Sequence, residues 1–407
     1  MDVSQEKQDR VLLAVAAAAA SLIHVSIAAS QILLGVGIAL LLIFRKKLEF
    51  PRIWVPLAVF FCWTILADVL CPDPWGGRAQ IKKFFVFLLI PLVYGVFVRQ
   101  FSKMFYLMVS WTVAATASAA WALLQYVIKF RHASYRVYLE RRISGVESHW
   151  MTFGALQLSV LSLLLAQLFF SNRKMPIWVY LSVAIISVAI LFNGTRSIWL
   201  AAIPAVLYLV WFWRPKMMFA VPFIIAAVFL VAPPNMRQRA LSLVSPQEDV
   251  DSNRHRSVVF VTGLEMIKAH PWFGIGPEEI GRNFDSYVPA GVKRPLPVGY
   301  YGHLHNIYLQ YAAERGIPGL LLMLWFIGLA VWDFGKGIAR IGRVPSQELF
   351  ILHGAIAVTI GILVGGLAEY NLGDSEVLMM FVSVIALAYA ALNHVNGLSP
   401  KTETVSK

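Results

Sequence analysis

Apolar stretches near the length of a membrane-spanning helix follow one another along the chain, separated by short polar connections. A helix needs about 20 mainly apolar residues to cross the hydrocarbon core of a bilayer. Twelve stretches approach that length: 11–28, 31–44, 53–70, 84–98, 104–128, 151–170, 177–192, 197–213, 217–232, 306–333, 349–371 and 377–394. This pattern predicts an all-α polytopic membrane protein with about 12 transmembrane helices.

The longest polar stretch divides this pattern into three parts. We expect transmembrane helices 1–9 in residues 1–232, a loop domain outside the membrane in residues 233–305, and transmembrane helices 10–12 in residues 306–407.

Within the loop, residues 254–269 predict an amphipathic helix. Its apolar positions share much of one face: Val258, Val259, Val261, Leu264 and Ile267. Asp251 or Ser252 is a candidate to cap its start, and His270-Pro271 is expected to end it. We expect this helix to lie over the membrane surface. The alternative is a lid that does not contact substrate.

The composition agrees with a membrane protein. Hydrophobic residues make up 58% of the 407 positions and charged residues only 14%, whereas a soluble chain is about 45–50% apolar and about a quarter charged. The net charge of +13 accompanies no nucleic-acid-binding motif, and basic residues of membrane proteins gather at cytoplasmic helix ends or meet anionic lipid. Cys62 and Cys71 lie in one apolar stretch and its end, so neither a structural disulfide nor a zinc site is expected.

Basic residues also predict the orientation of the chain. With both termini in the cytoplasm, every inside connection is basic, as insertion bias requires. These residues are Arg45, Lys46, Lys47 and Arg52; Arg99 and Lys103; Arg173 and Lys174; Arg214 and Lys216; and Lys336, Arg340 and Arg343. The long loop then lies outside.

Several arginines lie on the outer side against this bias. Arg142 and Arg196 stand in short outer connections that leave them little room to reach elsewhere. We therefore expect them to bind an anion at the outer interface. For Arg131 and Arg136 we favour contact with lipid phosphates by side chains that extend toward the headgroups.

Titratable residues cluster where the long loop re-enters apolar sequence, at His303-Leu-His305-Asn306. A helix is expected to begin at Asn306 and to be interrupted at Gly316-Ile-Pro-Gly319. Asn306, Gln310 and Glu314 would then form a polar line along one face, which should meet protein or water rather than lipid.

A histidine at a helix N-terminus favours the neutral imidazole, because the helix dipole disfavours positive charge there. Neutral His305 can accept a proton from a hydroxyl nucleophile. It can equally serve only to hydrogen-bond substrate or backbone, and the residue type alone does not decide between these roles. His303 is expected to shape the turn.

Other candidate motifs are weaker. Gly274-Ile-Gly276 lacks the strand-loop-helix context of a phosphate-binding loop and is interpreted as a turn. Glu369, Asp374 and Glu376 could form a metal site, but without a histidine at this spacing we expect pairing with arginines instead. Arginines for an anion and a histidine for a proton suit transfer from a lipid-linked phosphate or diphosphate, because arginine stabilises the departing phosphate charge without a metal.

At these residues the chain resembles the bacterial O-antigen ligase and polymerase family. The resemblance covers the hydropathy layout of nearly the whole chain and three motifs. They are Gly194-Thr195-Arg196-Ser197; Arg254 and Arg256 followed by Gly263–Ile267 and His270–Gly276; and His303-Leu304-His305-Asn306 with Tyr308, Leu309, Glu314, Gly316 and Gly319.

The resemblance implies a membrane glycosyltransferase of the GT-C-like type, with a periplasmic loop that contains amphipathic helices. It implies that glycan passes from undecaprenyl diphosphate-linked O-antigen to lipid A–core at the periplasmic face of the bacterial inner membrane. The reaction would invert the anomeric centre and need no metal or cofactor.

The resemblance also implies roles for individual residues. His305 matches the proposed base, while Arg142, which is adjacent to Arg141, and Arg196 match diphosphate-binding positions. The remaining expected site residues are two further candidates for the diphosphate, Arg254 and Arg256, and three supporting residues, His303, Asn306 and Glu314.

Ligase is favoured over polymerase because the chain is compact, with one dominant outer loop. O-antigen polymerase and protein O-oligosaccharyltransferase are the alternatives within the same class. A transporter or flippase of lipid-linked sugar is an alternative of another class. It should place polar residues near the middle of several spans and show repeat symmetry, and only Gln125 and Gln157 approach the first condition.

Overall fold

The described part of the chain is built from α-helices and short 3-10 segments, and it contains no β-strand. The computed structural model describes residues 3–129, 134–140, 142–243 and 253–398. Four residues named above, Arg131, Arg141, Asp251 and Ser252, lie outside these ranges, as does the side chain of Arg136.

The α-helices are α1 Val3–Ser21, α2 Ile27–Ile43, α3 Trp54–Leu70, α4 Arg78–Lys83, α5 Leu89–Arg99, α6 Met104–Lys129, α7 Tyr135–Glu140, α8 Trp150–Phe170, α9 Ile177–Asn193, α10 Arg196–Trp213, α11 Val221–Val231, α12 Pro234–Leu241, α13 Asn253–Ala269, α14 Ile280–Asn283, α15 Ile307–Ile341, α16 Gln347–Gly365 and α17 Ser375–Leu398. The 3-10 segments are Leu22–His24, Phe84–Leu88, Phe101–Lys103, Pro215–Ala220, Phe284–Tyr287 and Asn371–Gly373.

Each of the twelve apolar stretches overlaps a helix of the bundle. Within the described ranges, seven helical segments are long and apolar enough to cross a membrane, and four more are apolar but shorter. The prediction of an all-helical, multi-pass membrane protein is therefore confirmed.

The first predicted stretch, 11–28, has the wrong bounds, because α1 begins at Val3 and ends at Ser21. The chain turns directly after it, since the Ser26 hydroxyl accepts the N–H of Ala29 and begins a new helix. The eleventh stretch also ends early, at Gly365, and residues 366–374 form a connection that includes the 3-10 segment Asn371–Gly373.

Helix ends that the charge pattern assigns to one side lie together. Lys46 pairs with Asp9 at 2.8 Å, and Arg99 pairs with Glu49 at 3.0 Å. We call the side of the bundle that carries His305 the His305 end, and the side with these two ion pairs the opposite end. The grouping agrees with the predicted alternation of inside and outside connections, and which side faces the cytoplasm stays a prediction.

A helix break at Gly316 shapes the His305 end. Gly316 has φ 72° and ψ 174°, so α15 divides into a short N-terminal half and a long span. A broken helix at membrane depth needs new partners for its free carbonyls. The backbone N–H groups of Ile275 and Gly276 donate to the carbonyls of Ala313 and Glu314, at 2.8 Å and 3.2 Å. The predicted helix interruption is therefore present, and the Gly274–Gly276 turn supplies the hydrogen-bond donors that it needs.

The loop domain has a small apolar core of its own, which packs on the first half of α15. Its fully buried members include Val259, Met266 and Ile280. The predicted amphipathic helix is confirmed as α13, and it turns this apolar face to α15. The packing places α13 directly beside the loop that carries His305.

Candidate active site

His305 lies in a tight turn directly before α15. Its φ of 47° is in the left-handed region, which non-glycine residues adopt uncommonly. The Asn306 side chain caps the helix by accepting the N–H groups of Tyr308 and Leu309, at 2.9 Å and 3.0 Å. His303 Nδ1 accepts the His305 N–H at 3.2 Å. The expected helix start and the turn-shaping role of His303 are both present.

The two ring nitrogens of His305 have different surroundings. Nε2 lies 3.3 Å from the Tyr300 carbonyl oxygen, which can only accept a hydrogen bond. Nδ1 is buried without a hydrogen-bond partner, and it lies 3.5 Å from Glu369 Oε2. Both ring nitrogens therefore face acceptor oxygens, and the neutral ring carries a proton on only one of them.

Arg256 holds that carboxylate in place. Its guanidinium donates to Glu369 Oε1 at 2.5 Å, and the Glu369 side chain is only 6% exposed. The predicted pairing of Glu369 with an arginine is confirmed. Arg254 is two residues earlier on α13 and exposed, because residues two apart on a helix point to different sides.

The predicted polar line along α15 is buried against protein. Gln310 accepts the N–H of Leu304 at 2.7 Å and donates to Glu314 at 2.7 Å. Glu314 also pairs with Arg315 and accepts the N–H of Glu278 at 3.0 Å. Glu314 therefore supports the helix break and the loop. The structure does not bring it to His305, whereas Asn306 lies next to it.

A cavity of about 210 Å³ is lined by Glu369 and His303, both of which are neighbours of His305. It lies between the start of α8, the end of α16 and the loop that follows α16. Five titratable side chains line it: His149, His303, Glu369, Tyr370 and Asp374. His303, assigned above to the turn, thus also contributes a wall of this cavity.

The histidines around His305 are held neutral at pH 7. Burial, with a smaller effect from the nearby charge of His305, lowers the pKa of His303 and of His255 to about 4. Burial also lowers the pKa of His149. Each of these three rings is therefore a weaker base than a free imidazole.

Arg142 is a partly buried cation whose Nε is enclosed by protein. Its Nε has no partner, and its guanidinium lies 5.3 Å from the ring centre of Trp150. Burial lowers its pKa to about 9, and the charge of Arg239 adds to this effect. The side chain still carries its charge at pH 7. Glu369 also influences this pKa, so Arg142 belongs to the neighbourhood of His305.

Arg196 is also buried, but the loop domain occupies its guanidinium. Nη1 donates to the carbonyl oxygen of Ser242 at 2.8 Å, and Nη2 donates to Asn253 Oδ1 at 2.6 Å. The preceding Asn193 binds the carbonyls of Ile143 and Trp150 at 2.9 Å and 3.0 Å. This short turn therefore fastens both the loop domain and the segment that carries Arg142.

Sequence reasoning missed His255 and His149, and it predicted an arginine partner for Glu369 without its place beside His305. Glu369 is 64 positions after His305, whereas His255 and His149 are 50 and 156 positions before it. One signal was present for His149, which stands directly before an apolar stretch, as His305 does. It accepts the N–H of Met151 at 3.3 Å as the cap of α8. Within the described ranges, no group of three metal-binding side chains occurs.

Comparison with known proteins supports one family. Residues 181–324 match the family model Wzy_C, described as O-antigen ligase. The matched stretch contains Arg196, the loop domain and His305, and it ends inside α15 before Glu369. No protein of curated function matches the chain. The match supports membership of the O-antigen ligase and polymerase family and a ligase- or polymerase-type activity.

Proposed function

We propose that this protein is an O-antigen ligase. It transfers glycan from undecaprenyl diphosphate to a hydroxyl of lipid A–core at the periplasmic face of the bacterial inner membrane. His305 is the base, the anomeric centre is inverted, and no metal takes part.

One observation carries the proposal. The unpartnered Nδ1 of His305 faces Glu369 at 3.5 Å, at the edge of a cavity on a multi-pass bundle. A ring nitrogen of neutral His305 accepts the proton of the incoming hydroxyl. The imidazolium that forms is stabilised by the Glu369 carboxylate, which Arg256 orients. Glu369 is in this role a positioning residue.

The transfer needs no further reactant. The acceptor oxygen forms a bond to the anomeric carbon while its proton passes to His305. The bond between that carbon and the diphosphate oxygen breaks, and the leaving diphosphate takes the electron pair. Because the acceptor attacks from the face opposite the diphosphate, the configuration inverts.

Arg142 is suited to hold the leaving diphosphate. It is cationic and its Nε has no hydrogen-bond partner, so a phosphate oxygen can accept a hydrogen bond from this nitrogen. Arg196 and Arg254 stay further candidates for the donor. The first is already bonded to the loop domain, and the second is exposed.

Purified protein should be supplied with undecaprenyl diphosphate-linked glycan and lipid A–core, with and without a chelator. We expect glycan on lipid A–core, free undecaprenyl diphosphate, an inverted linkage, and the same rate in both samples. The products are separated by gel and identified by mass spectrometry, with a reaction lacking lipid A–core as the control.

Other products would contradict the proposal in distinct ways. Longer glycans on the donor lipid, without lipid A–core, indicate a polymerase, and glycan on a protein acceptor indicates an O-oligosaccharyltransferase. Movement of intact donor across a vesicle without a new bond indicates a transporter. Loss of transfer on chelation, restored by a divalent metal, overturns the metal-independent mechanism.

A further inference from the structure

A second cavity, of about 300 Å³, lies at the opposite end of the bundle. It is enclosed by the connection before α3, the last turns of α15 and α17, and Tyr94 of α5. None of its lining residues takes part in the proposed transfer.

The cavity lies near the other surface of the membrane. From the break at Gly316 to Lys336, α15 runs 20 residues, which at 1.5 Å per residue is roughly 30 Å. This is close to the thickness of the hydrocarbon core. Trp332, one turn before Lys336, is largely exposed, as expected for an aromatic residue at the level of lipid headgroups.

The cavity has an excess of positive charge. Three cations line it, Arg52, Lys336 and Arg340, with a single carboxylate, Asp333. Asp333 is already occupied, because Arg52 donates to Oδ1 at 3.3 Å and the Tyr389 hydroxyl donates to Oδ2 at 2.9 Å. Two cations therefore have no charge partner of their own in the cavity.

Lys336 and Arg340 form this unbalanced pair. Within the described residues, neither has a carboxylate within 4 Å; Lys336 lies 4.7 Å from the ring centre of Trp332, and Arg340 donates to Asn396 Oδ1 at 2.5 Å. The two residues are four positions apart on α15, so their like charges are neighbours on one face and repel each other. An anion between them would remove this repulsion.

We propose that this cavity binds a phosphate ester, that of an anionic phospholipid headgroup. Lys336 and Arg340 bind the phosphate at the mouth of the cavity. The apolar side chains of Phe50 and Leu392 also line it and accommodate the less polar parts of the lipid. Its position at headgroup level favours a lipid over a soluble phosphate, since basic pockets between transmembrane helices bind such headgroups.

Binding to delipidated protein in detergent tests the proposal, with short-chain phosphatidylglycerol, phosphatidylcholine and inorganic phosphate as probes. We expect phosphatidylglycerol to bind best. The double variant Lys336→Gln/Arg340→Gln should bind it roughly 30-fold more weakly, since each cation near a membrane surface contributes about fivefold. Asn396→Asp should also weaken binding, because it places a carboxylate beside Arg340.

The control is Arg214→Gln/Lys216→Gln, which removes the same charge from the same end of the bundle. Arg214 also lies over a tryptophan ring, 4.8 Å from the centre of Trp213, and both residues are exposed outside the cavity. This variant should bind phosphatidylglycerol as the wild type does. Equal losses in both double variants, or no loss in the first, would overturn the site. Inorganic phosphate binding as tightly as phosphatidylglycerol would overturn the lipid as its ligand.

Discussion

In the proposed mechanism His305 accepts a proton, and both of its ring nitrogens have an acceptor nearby. Nε2 lies beside a backbone carbonyl, and Nδ1 lies without a hydrogen bond beside a carboxylate. The imidazolium that forms on proton transfer can therefore be stabilised from both sides. His303, two residues away, instead accepts a backbone N–H with its Nδ1, and this explains why one histidine of the pair is the candidate base.

His305→Ala should lower transfer by about 10²- to 10⁴-fold, the contribution of a positioned general base. Donor binding and the melting temperature should change little. Glu369→Gln should cause a smaller loss, because it keeps the shape of the side chain and removes its charge. Initial rates with purified protein measure both effects.

His394→Ala is the matched control for these variants. His394 pairs with Glu348 at 2.8 Å at the opposite end of the bundle, so its loss should leave transfer unchanged. Near-normal transfer by a well-folded His305→Ala protein would exclude the role of base.

Arg142 and Arg196 differ in the hydrogen bonds that their side chains already make. Their variants should therefore differ in whether donor binding or stability is lost. Arg142→Gln should weaken binding of undecaprenyl diphosphate roughly tenfold or more, with little change in melting temperature, and lysine should restore binding poorly if the contact is bidentate. Arg196→Gln should lower stability by about 1–3 kcal/mol, because Ser242 and Asn253 lose their donor.

Binding of labelled donor and thermal unfolding separate the two effects. If Arg196 also contacts the diphosphate, its variant loses donor affinity as well as stability. Unchanged donor binding in both variants would move the anion site elsewhere, to Arg254 or Arg256.

At the scale of elements, the break in α15 depends on two glycines, one on each side of the contact between the loop domain and α15. Gly274 and Gly316 both have positive φ, at 71° and 72°. A Cβ on Gly274 would lie 2.3 Å from the backbone carbon of Glu314. The loop domain can therefore reach the free carbonyls of α15 only without a side chain at this position.

Gly274→Ala should lower stability by more than about 2 kcal/mol and reduce transfer, because strain and collision separate the loop domain from α15. Gly328→Ala is the control on the same helix. Its Cβ would meet no atom within 4 Å, so it should be neutral or stabilise by up to about 1 kcal/mol. Thermal unfolding in detergent compares them, and equal melting temperatures would show that the contact is unimportant.

At the scale of the whole molecule, the sequence predicted most of the helices and few of the contacts between them. The hydrophobic stretches, the loop helix α13 and the break near Gly316 were all readable, because each depends on residues close together in the chain. The bounds of α1 were wrong, because the capping hydroxyl of Ser26 determined where the first helix pair turns. A polar cap inside an apolar run has little effect on hydropathy.

The sequence by itself determined that this chain crosses a membrane many times and that a histidine lies directly before α15. Bilayer thickness and helical periodicity operate over short distances in sequence, so these features could be derived directly. Only the tertiary structure decided that Glu369 faces His305, that Arg196 is already bonded to the loop domain while the Nε of Arg142 has no partner, and that Glu314 supports the helix break. The partner of each buried charge depends on which helices pack side by side. The spacing of residues along the chain does not determine that packing.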